Sequence, residues 1–143
     1  RRVLFRSGLK TTSYAENVVA LAAAREKGAS EAVFANLAGH LCEGTGTNVF
    51  YVVDGEVRTP TLASGCLAGV TRALVLEWFG ATEVDEPIDV AANADEVFLV
   101  STTRDVQGAH RWDDRTLEAP GPVTKQAAAL WREREGELLG LDR

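Results

Sequence analysis

The run Asn48 to Val53, NVFYVV, is β-branched and aromatic, and Asp54-Gly55 separates it from EVRTP. A strand, an Asp-Gly pair and a second strand form the strongest short-range hairpin signal a sequence offers. Any fold for this chain must be built around that hairpin. A second apolar run, EVFLVST over 96–102, predicts a buried strand. Three helices are expected around them. The first covers 14–27, with Ser13 as N-cap, Glu16 at the capping-box position and Gly28 as its stop. Tyr14, Val18, Leu21 and Ala22 share one face of it. The second covers 71–79 and stops at Gly80; the third opens at Pro122 and runs to about Leu139. Shorter strands are expected over 31–36, 41–43 and 82–88, a short helix or turn over 89–95, and irregular strands over 105–119 looping at Asp113-Asp114. Residues 61–70 read as small and flexible. Strands and helices mix without strict βαβ alternation, which predicts a mixed-sheet α/β domain.

A chain of 143 residues is about one domain long and can bury a core without metals or disulfides. Its 15 Lys and Arg are scattered among 21 Asp and Glu, so it lacks the concentrated basic face that nucleic acid requires. No apolar run approaches the roughly 18–20 residues of a membrane span. Cys42 and Cys66 lack C-x-x-C spacing and read as free core residues in a reducing, cytoplasmic setting. His40 and His110 have no companions at ligand spacing, so no metal is expected. Glu83, Asp85 and Glu86 read as a solvated sheet edge. Residues 1–7 read as the in-frame translation of a sequencing adaptor, or as a basic edge strand, with the domain proper over 8–143.

Four features could carry chemistry. Lys10 lies in an otherwise uncharged stretch ahead of a helix, where lost solvation would lower the pKa of its amine; a solvated surface lysine is the plain alternative. Glu43-Gly44-Thr45-Gly46-Thr47-Asn48 holds two glycines where backbone can turn tightly or approach a ligand, or Asn48 simply bonds local backbone. Leu67-Ala68-Gly69-Val70-Thr71-Arg72 opens a helix whose free N–H groups and dipole suit an anion, or Thr71 merely caps it. Ser101-Thr102-Thr103 ends the buried strand, where open sheets place ligand contacts.

In this order and spacing, EGTGTNVF, then Val57-Arg58-Thr59, then LAGVTR resembles the signature of class IV aminotransferases, the fold-type-IV pyridoxal-phosphate enzymes. That family includes branched-chain and D-amino-acid aminotransferases and aminodeoxychorismate lyases. The resemblance implies the barrel-like large domain of such an enzyme, with a smaller upstream domain missing and a homodimer in the full-length form. It implies that Lys10 forms the Schiff base with pyridoxal 5'-phosphate and that Glu43 pairs with the pyridine nitrogen. Val70, Thr71, Ser101 and Thr102 would contact the phosphate. The implied activity is transamination of an amino acid, or pyruvate elimination from aminodeoxychorismate. The alternative is a fragment that keeps the fold without holding cofactor productively. The Lys10-to-Tyr14 stretch looks slightly closer to the lyase and D-amino-acid branch. Ser13 stands where several relatives have Asn, and Gly108-Ala109 where Pro-Val is common.

Overall fold

The computed structural model describes residues 15–140. Four α-helices and nine strands follow in chain order: α1 (Ala15–Glu26), β1 (Val33–Ala35), β2 (Leu41–Gly44), β3 (Asn48–Val53), β4 (Glu56–Thr59), α2 (Val70–Trp78), β5 (Thr82–Glu83), α3 (Asp89–Asn93), β6 (Glu96–Ser101), β7 (Asp105–Gly108), β8 (Arg111–Trp112), β9 (Arg115–Thr116) and α4 (Pro122–Leu139). The predicted hairpin is β3–β4, with Val53 opposite Glu56 and only Asp54 and Gly55 between. Both turn residues have positive φ, 51° and 80°, the twist a two-residue hairpin needs.

β3 organises the sheet. Along one edge it pairs antiparallel with β6, from Asn48 opposite Val100 to Val52 opposite Glu96. On its other edge, Asn48 pairs with Glu43 of β2, and Tyr51 to Val53 pair with β4. β7 extends β6, β1 extends β2, and β5 adds a short parallel pair to β4. The mixed α/β architecture expected from the sequence is the one observed.

Both faces of the central strands are buried, which explains why their sequences are almost continuously apolar. Val49, Tyr51, Val97 and Leu99 point to one side, against Ala91 of α3, Ala94 and Leu117. Phe50, Val52, Phe98 and Val100 point to the other, against Val75 of α2 and Ala127 and Trp131 of α4. The Phe50 and Phe98 rings stack across the β3–β6 pair with centroids 5.2 Å apart.

Several expectations need correction. The face of α1 carrying Val18 and Ala22 is not buried: Val18 is 63% exposed, and the buried residue of this helix is Asn17. The 82–88 strand shrinks to two exposed residues, and β6 ends at Ser101, leaving Thr102 just beyond it. Residues 61–70 are tied down rather than loose. Thr61 caps a 3₁₀ turn (Leu62–Ser64), and Asp85 accepts from the Thr61 N–H and hydroxyl at 3.1 and 2.9 Å. Asp85 and Glu86 are therefore not simply solvated edge residues, whereas Glu83 is exposed at the edge as expected. Glu83 pairs with the buried Arg72, while Glu86 accepts from the Tyr51 hydroxyl at 2.6 Å and meets Arg58 at 3.2 Å. Burial and the adjoining Glu86 carboxylate push the Tyr51 hydroxyl well above the ordinary phenol range. Ser13, Tyr14 and residues 1–7 lie outside the described residues.

Candidate cofactor site

Strand register brings two walls of the site together. Glu43 lies opposite Asn48, and Asn48 opposite Val100, so three strands place these residues in a row across the sheet. The turn between β2 and β3 and the loop leaving β6 therefore meet at one end. The Asn48 side chain donates to the Leu67 carbonyl at 2.9 Å, which docks the segment before α2 onto that end. This bond spans nineteen residues and replaces the local one read from sequence. The Leu67 N–H in turn donates to Glu43 Oε2 at 2.8 Å. A Cβ at Gly69 would collide with the Asn48 amide oxygen, so the close approach requires glycine there.

These elements enclose a hollow of about 300 Å³, at the lower end of the range for small-molecule sites. Its walls are residues 43–48, Leu67 to Thr71 and Val100 to Thr102. Glu43, Val70, Thr71, Ser101 and Thr102, five candidates from sequence, all line it. The sixth, Lys10, lies outside the described residues. Glu43 is only 4% exposed, a carboxylate held out of water beside the hollow.

The helix α2 supplies the opposite character. Its cap residue is Gly69, which has no side chain to satisfy the first turn, so Thr71 is not the cap. The N–H groups of Val70, Thr71 and Arg72 have no acceptor within the helix, and the helix dipole adds partial positive charge there. Thr71 is buried, whereas the Val70 side chain is 74% exposed and contributes its backbone. Arg72 anchors this turn from behind by donating to the Pro60 carbonyl at 2.9 Å. At the far wall, Ser101 Oγ accepts from the Arg104 N–H at 3.1 Å and lies 3.3 Å from the Thr103 hydroxyl.

One side of the hollow thus offers a buried carboxylate and another offers unpaired N–H donors with hydroxyls beside them. That donor set matches a small molecule with a protonatable ring nitrogen at one end and a phosphate at the other. Pyridoxal phosphate has both. Cys42 and Cys66 are buried, the Cys42 thiol donating to the Ser64 carbonyl at 3.6 Å, and burial raises the Cys66 thiol above its usual range despite the Ser64 hydroxyl beside it. Sequence reasoning missed Asn17, Glu31 and Arg72, which hold the walls from outside. Arg72 closes the LAGVTR run, but its partners, like those of Asn17 and Glu31, lie on segments distant in the chain, so their roles were not legible.

A profile of the family "Amino-transferase class IV" matches residues 2–112. A Synechocystis sp. protein named "Probable branched-chain-amino-acid aminotransferase" is 34% identical over 128 residues, 86% of this chain and 42% of its own. The D-alanine aminotransferase of Bacillus licheniformis is 34% identical over 127 residues, covering 84% and 44%. The crystal structure of the branched-chain amino acid aminotransferase from Thermobaculum terrenum in its PLP holo-form superposes with a TM-score of 0.84 at 31% identity. That match covers 92% of this chain and 46% of the other. The chain belongs to the class IV aminotransferase family, whose cofactor is pyridoxal phosphate. It spans less than half the length of these relatives.

Proposed function

We propose that this chain is the cofactor-holding part of a pyridoxal-phosphate-dependent aminotransferase acting on an amino acid and a keto acid. The observation that carries the reading is the single hollow shared by the buried Glu43 carboxylate and the opening turn of α2. When bound, the cofactor supplies an aldehyde that captures an amine and a ring that withdraws electrons from the substrate α-carbon.

The chain's own residues have distinct tasks in this reading. Glu43, kept ionised, holds a proton on the ring nitrogen and so keeps the ring electron-poor. Val70 and Thr71 orient the phosphate through N–H donors, and the Thr71, Ser101 and Thr102 hydroxyls complete its shell. Lys10 provides the amine that anchors the cofactor and moves a proton at the substrate α-carbon. Six residues lie between Lys10 and Asn17, whose amide donates to the carbonyl of Thr45, one of the residues lining the hollow. Among the relatives both branched-chain and D-alanine aminotransferases occur, so the substrate class is an aliphatic amino acid without assignment of hand.

Val70→Pro tests the phosphate end. Proline is tolerated at the first helical position and removes only the N–H. Pyridoxal phosphate titration should show an affinity about tenfold or more below wild type, the scale of one charge-assisted hydrogen bond, with thermal stability retained. Unchanged affinity contradicts this placement, and absence of saturable binding by the unaltered chain favours a chain that keeps the fold without the cofactor.

A further inference from the structure

Behind the glycine turn stands a carboxylate that does not itself line the hollow. The side chain of Glu31, two residues ahead of β1, is 8% exposed. Its Oε1 accepts from the Thr45 N–H at 3.0 Å, from the Thr45 hydroxyl, and from the Ala32 N–H at 3.1 Å. Its Oε2 accepts from the Thr47 hydroxyl at 3.2 Å and lies 3.8 Å from the Arg104 guanidinium. Arg104 also donates to the Ser30 carbonyl at 3.0 Å and to Gln107 at 2.7 Å.

Apart from Ala32, every partner of this carboxylate belongs to a loop that walls the hollow or leaves it. Thr45 and Thr47 lie two and four residues after Glu43, while Arg104 follows Ser101 and Thr102. The approach is possible because residue 44 is glycine: a Cβ there would lie 3.1 Å from Glu31 Cδ and would collide with the Thr47 hydroxyl. Each threonine hydroxyl has one hydrogen, and both are committed to Glu31. They act as struts for the turn and have no hydrogen left to donate to a ligand.

We propose that Glu31 is a positioning residue for the cofactor site: it clamps the Gly44–Thr47 turn beside Glu43 and, through Arg104, fixes it against the Ser101–Thr102 loop. The inference rests on the pyridoxal-phosphate reading above. A cofactor held at both ends needs its contacts within about 0.5 Å of their productive places, so loosening this turn weakens binding without dismantling the sheet.

Glu31→Ala and Glu31→Gln separate the possibilities. Amide hydrogen exchange without cofactor should accelerate roughly tenfold or more at 44–47 in Glu31→Ala, with the β3–β6 ladder unchanged. The dissociation constant for pyridoxal phosphate should rise about tenfold or more. Glu31→Gln keeps one acceptor oxygen and should recover part of both effects. Wild-type exchange at 44–47 overturns the proposal, as does an affinity loss that merely tracks a global fall in stability and faster ladder exchange. If the unaltered chain takes up no pyridoxal phosphate, the cofactor reading fails on its own, and exchange at 44–47 still decides for or against the clamp.

Discussion

Glu43 has an observed structural role that can be separated from the chemical role proposed for it. Its buried carboxylate accepts the Leu67 N–H and so fixes the segment that leads into α2. Glu43→Gln retains an oxygen for Leu67 and should fold normally, yet lose the charge that the proposed pairing uses to keep the ring nitrogen protonated. The expected outcome is a cofactor-loaded protein with an altered absorbance spectrum and transamination slowed by orders of magnitude; an unchanged spectrum and rate would refute the pairing. Glu43→Leu instead strands the Leu67 N–H and should cost about 1–3 kcal/mol in urea unfolding. The Cys66 thiol gives a pH prediction. Its folded pKa is raised, so the folded state resists ionisation while the unfolded thiol titrates near 8.5. Stability should therefore be insensitive to this group at neutral pH and fall as pH rises past about 8.5. A Cys66→Ala variant whose alkaline stability falls as steeply as wild type would contradict this.

At the scale of elements, the last helix shows how a buried charge can be matched to a helix start. Glu96, the first residue of β6, accepts from the Val123 and Thr124 N–H groups at 2.9 and 2.8 Å, and from the Thr124 hydroxyl at 2.6 Å. These are the donors that the first turn of α4 leaves unsatisfied, and the carboxylate faces the positive end of the dipole. Gly121 allows the approach, since a Cβ there would lie 2.6 Å from Glu96 Cγ. Gly121→Ala should destabilise the protein by about 1–3 kcal/mol, read as a shifted urea midpoint; no shift would show that the cap contributes nothing. Pro122 at the start of α4 was legible in the sequence, as were the β3–β4 hairpin and the stop of α2 at Gly80. The capping role of Glu96 was not, because a carboxylate at a strand start looks solvated until the helix 26 residues later is placed. The same reason hid Glu31 and the partners of Glu83, Asp85 and Glu86. The face of α1 was misread because alternating helical positions show which residues align, not which side meets the sheet.

For the whole molecule, stability resides in the two apolar layers on either side of β3 and β6, while the hollow lies at one end of that sheet. Phe98→Ala, at the stacked centre, should cost about 3–5 kcal/mol, measured by denaturant unfolding; a loss below about 1 kcal/mol would mean that the layer is not packed as described. No helix among the described residues is long and apolar enough to cross a membrane. Spanning less than half of its relatives, the chain contains the carboxylate, the helix start and the hydroxyl loop that the proposed cofactor reading uses, and Lys10 is the amine that reading assigns. The sequence holds three lysines, Lys10, Lys27 and Lys125, which makes the decisive measurement simple. The chain is mixed with stoichiometric pyridoxal phosphate, reduced with borohydride, digested and mapped. The account predicts one covalent label, on Lys10, that is lost in Lys10→Ala; a label on Lys27 or Lys125, or none, would contradict it.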